Sequence, residues 1–266
     1  MADFINTIDV LGDDAVIDSI IDRSITEFKD DTLETVGTYA FNGCAALTEV
    51  DLPNVTSVAG NAFQKCTALT DVNCPALTTG GAYLFDGCTS LKNVNLPALT
   101  SVAGRNMFYG CSTLETISLP NLVTADRYMF YNCGALKNAS VPKLTSVPQA
   151  CFQSCGLLSI DLPLVTSIAS AGLYQNINLV AVILRSETMC TLAATNVFDN
   201  CCHIVGTTLY GANPDKLKDG FIYVPRALVD SYKTATNWSK YASQFRALED
   251  YTVDGTITGA LDETKI

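Results

Sequence analysis

The chain of 266 residues is 48% apolar and 16% charged, with a formal net charge of −11. No run approaches the roughly 18 apolar residues that a membrane helix needs, and an acidic balance repels phosphate backbones, so neither membrane insertion nor a nucleic-acid partner is expected. The opening stretch, Met-Ala-Asp-Phe-Ile-Asn-Thr-Ile-Asp-Val, has no basic head and no continuous apolar core, and does not read as a signal peptide.

Residues 1–36 carry ten acids against two bases and are expected to form an N-terminal amphipathic helical cap. Gly12-Asp13-Asp14 precedes Val16, Ile17, Ile20, Ile21, Ile25 and Phe28, which keep the i, i+3, i+4 spacing of a helix. Asp13 suits the N-cap, and the early acids suit the positive end of the helix dipole. Such a helix would cover the apolar edge of the first coil. The sharper alternative is a helix for oligomerisation or docking.

From residue 37 to 210 the chain repeats itself. Phe41-Asn-Gly-Cys44-Ala-Ala-Leu47-Thr-Glu-Val50-Asp-Leu52-Pro53 restarts at Phe63, Phe85, Phe108, Phe130 and Phe152, in steps of 22, 22, 23, 22 and 22 residues. That period marks a solenoid of about seven to eight coils, each burying its apolar face against its neighbours. Leu47, Val50 and Leu52 set a short strand, and Pro53 closes it because proline lacks a ladder donor. Stacked strands then make a parallel sheet. A second apolar pair comes next, as in Leu99 and Val102, before a short helical or 3-10 turn that carries the aromatic.

Cys44, Cys66, Cys88, Cys111, Cys133, Cys155 and Cys201 each fall three residues after the aromatic place. One thiol per coil, in register, reads as an internal ladder of buried, reduced side chains bonded to loop carbonyls. Coils six and seven drift. Cys155 to Pro163 is eight residues rather than nine, Tyr174 stands for Phe, Ile177 for Cys and Arg185 for Pro; Phe198 begins a coil that fades after Ile204.

Residues 211–266 are expected to be a C-terminal capping module and tail. Gly211-Ala-Asn-Pro214 is a turn, Phe221-Ile-Tyr-Val224 a strand, and Pro225 fits the first position of a helix bearing Leu228, Val229 and Tyr232. A second short helix would carry Trp238, Tyr241 and Phe245 as a lid over the last coil. Tyr251 to Thr258 looks like a hairpin around Asp254-Gly255, and residues 262–266 are a polar tail.

Nothing in the sequence argues for catalysis, a cofactor or a metal. Cys201-Cys202-His203 holds the only His, and a zinc site usually needs four ligands at workable spacing. No Ser-His-Asp arrangement, phosphate-cradling glycine loop or opposed carboxylate pair is present. Two surfaces remain for binding. One is the strand face, with outward columns Glu49, Asp71, Asn93, Thr116, Asn138, Ser159 and Asp51, Asn73, Asn95, Ser118, Ser140, Asp161; short polar side chains read first as a solvated sheet. The other is the loop edge, where Tyr83, Tyr109, Tyr128 and Tyr131 cluster beside the Phe column. Aromatics there either shelter the core or contact a protein or glycan partner.

The recurring Phe-x-x-Cys-x-x-Leu-x-x-Val-x-Leu-Pro resembles the BspA-like leucine-rich-repeat family over about Tyr39 to Arg185, and Ile222 to Trp238 looks like the closing module found after such arrays. The resemblance implies an α/β repeat fold: a leucine-rich-repeat solenoid with parallel β-sheet, short helical or 3-10 turns, and helical caps at both ends. It also implies a non-enzymatic recognition or adhesion protein at a cell surface or in the extracellular space. A phage or prophage virion component, tail-associated and structural or receptor-binding, is the alternative, and the missing secretion signal departs from the adhesin pattern.

Overall fold

The structure is a computed structural model that describes residues 23–205 and 220–253, together with the strand backbone of Val10–Leu11 and Thr256–Ile257. The helix expected from Asp13 to Ile21, the turn at Gly211 to Pro214, the residues Asp254 and Gly255, and the polar tail lie outside the described residues.

Each coil contributes strands that pair only with their neighbours. Glu49–Asp51, Asp71–Asn73 and Asn93–Asn95 stack in parallel, with Val50 on Val72 on Val94. Alternation puts the central valine inward and its polar flanks outward. A second parallel ladder, not anticipated from the apolar pair Leu99 and Val102, runs through Thr35–Val36, Ser57–Val58, Thr79–Gly81 and Ser101–Ala103. It resumes through Ser146–Val147, Ser167–Ile168 and Thr191–Leu192. The molecule is thus a parallel-sheet solenoid of about nine turns with little helix.

Between the ladders runs an aromatic column. Phe41, Phe63, Phe85, Phe108, Phe130 and Phe152 are fully buried, with successive ring centroids 5.0, 5.7, 5.4, 5.3 and 5.2 Å apart and nearly parallel planes. The segment carrying each ring is neither α-helix nor 3-10 helix. It is a series of separate i to i+3 turns, in which the N–H of Asn42 donates to Tyr39 O, that of Cys44 to Phe41 O and that of Leu47 to Cys44 O. Left-handed residues two before and two after the ring, such as Asn61 (φ +61°) and Lys65 (φ +60°), keep the turns from merging into a helix.

Phe28 does not lie on a helix. It is the buried centre of the strand Glu27–Lys29, paired with Glu49–Asp51, and it occupies the Val50 column. Val36 likewise sits beside Val58. The repeat therefore begins ahead of residue 37. Its signature is hidden because the coil keeps the inward positions but lacks the Phe and Cys that announce the others.

Coil seven is displaced by one residue. The N–H of Phe152 donates to Gly172 O, so Leu173 and not Tyr174 takes the aromatic place, and buried Asn176 takes the cysteine place. Ile177 is 46% exposed. The physical cause is the short coil before it: with one residue missing ahead of Pro163, every later inward position moves back by one. Arg185 does stand at the proline position, where its guanidinium grips Asp161 of the previous coil at 2.7–3.0 Å.

The sheet runs on into the C-terminal segment. Phe221–Val224 pairs beside Ala181–Ile183, and Phe245–Ala247 pairs beside Phe221–Val224. Phe245, expected on a helix, is therefore on a strand. Between the strands lie a 3-10 turn Arg226–Leu228, the helix Val229–Thr234 and a kinked 3-10 segment Ser239–Gln244. Trp238 Nε1 donates to Cys190 O at 2.7 Å, the N–H of Cys190 donates to Tyr232 Oη at 2.7 Å, and Tyr241 packs edge-on against Phe198. Thr252–Val253 pairs antiparallel with Thr256–Ile257.

Candidate functional site

The ladder cysteines occupy one internal line. Each thiol donates to the carbonyl of the aromatic residue one coil earlier: Cys66 to Phe41 O (3.0 Å), Cys88 to Phe63 O (3.2 Å), Cys111 to Phe85 O (3.3 Å), Cys133 to Phe108 O (3.0 Å) and Cys155 to Phe130 O (3.0 Å). Cys201 donates to Leu173 O, and Cys44 is buried at the head of the line. All eleven cysteines are buried and unbridged. Burial pushes the thiols of Cys74, Cys190 and Cys201 up to about 12, which suppresses nucleophilic thiolate. Cys202 is buried in the helix Cys202–Val205, and the described residues contain no cluster of three or more His, Cys, Asp or Glu able to hold a metal.

Of the four tyrosines, the fold joins three. Tyr109 and Tyr131 sit directly after Phe108 and Phe130 and stack at 5.1 Å with planes 3° apart; Tyr128 meets Tyr131 edge-on at 5.8 Å. Tyr83 lies two residues before its Phe, in the left-handed position (φ +57°), under the guanidinium of Arg105 at 5.6 Å. All four are half-buried. Because Tyr109 and Tyr131 stack along the solenoid axis, their facing surfaces are closed to a ligand. The same column begins as an amide ladder: Asn42 Nδ2 donates to Gln64 Oε1 (2.9 Å) and Gln64 Nε2 to Asp86 Oδ2 (2.7 Å). Burial raises the Asp86 carboxyl above its usual range.

The strand face holds a feature that its column of short polar residues did not signal. Side-chain amides zip its first coils together, Asn73 Nδ2 to Asp51 Oδ1 (2.7 Å), Asn93 Nδ2 to Asp71 Oδ1 (2.6 Å) and Asn95 Nδ2 to Asn73 Oδ1 (2.6 Å). Donation from Thr70, and then from Asn93, holds the Asp71 carboxyl below its usual range. The zipper stops at Asn93 and Asn95. There the sheet itself is interrupted, because Asn93–Asn95 and Thr116–Ser118 form no ladder. Leu52 and Leu119 N–H reach Asn73 O and Ser140 O in the next coils, but Leu96 makes no such bond to Ser118. The break falls in the coil with the 23-residue step. Its extra residue lies at Gly104, whose φ of +122° and a notional Cβ 2.5 Å from Ala82 Cβ admit only glycine. Over the break lies a groove of about 550 Å³, floored by Val72, Val94 and Ile117.

A model for the family described as BspA type leucine rich repeat region matches residues 22–134 and 123–213, in six copies. The chain belongs to the BspA-type leucine-rich-repeat family. Among solved structures, it is similar to a leucine-rich repeat protein from Bacteroides ovatus, at 22% identity and a TM-score of 0.53, over 76% of this chain and 56% of that one. The BspA-type chain thus spans about half the length of that relative, and the likeness bears on the fold alone. A T. pallidum leucine-rich repeat protein matches at 26% identity and a TM-score of 0.43, over 47% of this chain and 60% of that one. A leucine-rich cell surface protein from Faecalibacterium prausnitzii matches at 17% identity and a TM-score of 0.28, over 72% and 80%. No curated protein matches the chain significantly.

Proposed function

We propose that this BspA-type chain is a non-enzymatic recognition protein that binds a protein or glycan partner at a cell surface. The observation that carries the reading is the tyrosine cluster: Tyr109, Tyr128 and Tyr131 share ring contacts across two coils, on a backbone stitched by Gly110 N–H to Tyr131 O at 2.9 Å. A patch that needs no reordering to bind keeps the entropy cost low. With their shared faces closed, the stacked rings offer edges and phenolic oxygens, so recognition there works by hydrogen bonding and edge packing. Tyr83, set apart under Arg105, is a secondary contact. The described residues include no helix long and apolar enough to cross a membrane.

The double substitution Tyr109→Ala and Tyr131→Ala tests this. Binding to whole host cells or to extracted glycans should fall by about 2 kcal/mol or more per ring, beyond what a parallel melting measurement explains. Unchanged binding with a lowered melting temperature would reduce these rings to shelter for the Phe column.

A further inference from the structure

We infer that the groove at the interrupted strand face is a binding site for an uncharged oligosaccharide, laid across the coils between Asn93–Asn95 and Thr116–Ser118. This site is distinct from the tyrosine cluster and does not rest on it. Four observations point to that occupant.

The groove's polar rim ends in unspent hydrogen-bonding groups. Asn93 and Asn95 each donate backwards through Nδ2, while their Oδ1 atoms accept nothing among the described residues, and the hydroxyls of Thr116 and Ser118 across the break have no protein partner among those residues. At Asp51, Asp71 and Asn73 an asparagine of the next coil takes up the side-chain oxygen; after Asn93 and Asn95 the next coil presents hydroxyls that make no such bond. Acceptors on one bank and hydroxyls on the other match a ligand carrying many hydroxyl groups, each able to donate and accept.

The break also rules out a peptide strand. A strand inserted between two others would hold them about 9.6 Å apart, yet Cα atoms of Asn93–Asn95 and Thr116–Ser118 approach within 8 Å. The two strands form no ladder, yet they lie too close to admit another backbone between them.

Charge and floor complete the match. From Asn93 to Ser140 the outward columns hold only Asn, Thr and Ser; the charged lining residues Glu49, Asp71 and Lys92 stand at one end and largely offset one another, which favours an uncharged chain. The floor is aliphatic, with Val94 half-exposed where its neighbours are covered, which suits the C–H faces of a sugar ring. The volume lies within the roughly 300–1,000 Å³ of small-molecule sites.

The test uses the full chain with cellohexaose, maltohexaose, chitohexaose and mannohexaose as neutral probes, and with oligogalacturonate and hexalysine as charged ones, read by calorimetry and saturation-transfer NMR. At least one neutral probe should bind, and Asn95→Leu or Asn93→Leu should weaken it about tenfold, the scale of one or two lost hydrogen bonds. Each substitution also removes one zipper bond, to Asp71 or to Asn73, so melting is measured alongside and binding is read well below each variant's melting temperature. The inference is overturned if no neutral probe binds at millimolar concentration, if a charged probe binds better, or if binding survives both substitutions in folded protein.

Discussion

From Cys66 to Cys155, and again at Cys201, each ladder thiol donates into a carbonyl and is sealed from water. In the unfolded chain a thiol ionises near 9.0, whereas burial holds Cys201 of the ladder, and Cys74 and Cys190 outside it, protonated until about 12. A raised native value means that stability is complete below pH 9 and is lost as pH climbs from 9 towards 12. Buried Tyr223 and Tyr232, also raised to about 12, add to the loss. The melting temperature should therefore hold up to about pH 9 and fall as pH rises from there towards 12; a flat profile would show these buried thiols to be open to water. Free-thiol titration of the denatured chain without reductant should recover most of the eleven cysteines, and fewer than about four would refute a reduced ladder. Asn176 is the exception in the line. Its Nδ2 donates to Phe152 O and Leu173 O, but its buried Oδ1 has no partner among the described residues. Restoring the repeat residue with Asn176→Cys should stabilise the fold by about 1 kcal/mol, read as a rise in melting temperature. At this scale the sequence was transparent where residue type repeats and opaque at coil seven, because Leu173 and Tyr174 are both able to fill an inward place and only the backbone pairing decides between them.

At the scale of the element, the strands around Val50, Val72 and Val94 were legible because alternation and a closing proline mark both ends. The second ladder was not, since Ser57–Val58 or Ser146–Val147 is too short to alternate visibly. The strand Glu27–Lys29 was misread because Ile25 and Phe28 are spaced by three, which a helix and this coil satisfy equally. The tyrosines beside the column could be placed from their offsets to Phe, but their stacking axis could not. The insertion at Gly104 was visible as a step of 23 residues, whereas the interruption of the strand face in the same coil was not. Gly104→Ala forces a Cβ against Ala82 at a φ that L residues avoid, and should cost about 2 kcal/mol or more. Chemical denaturation would measure this, with Gly134→Ala, which meets nothing within 4 Å, as the comparison.

For the molecule as a whole, stability is a sum of contacts between adjacent coils, so an unfinished end is costly. Trp238, Tyr241 and Tyr232 close the C-terminal end over Phe198 and Cys190, while Phe221–Val224 and Phe245–Ala247 carry the sheet past it. Trp238→Ala should lose about 3–5 kcal/mol, and removal of residues 212–266 should bare a sheet edge and cause aggregation, seen by light scattering. A truncated chain that stays monomeric with unchanged melting would make this segment an independent module. The interrupted strand face has a mechanical consequence as well. That face lacks a ladder at two places, between Asn93–Asn95 and Thr116–Ser118 and again between Asn138–Ser140 and Ser159–Asp161; at the first, the two halves are tied through the loop edge, the second ladder and side chains, as in Gly87 N–H to Tyr109 O, the Ser101–Thr124 bridge and Asn121 Nδ2 to Pro97 O. The rod is therefore hinged like a book at its spine: under tension from its two ends it should first gape along this face, and in deuterated water the amides of Leu96 and Glu115 should exchange ahead of those of Cys74 and Lys137, their counterparts in intact coils.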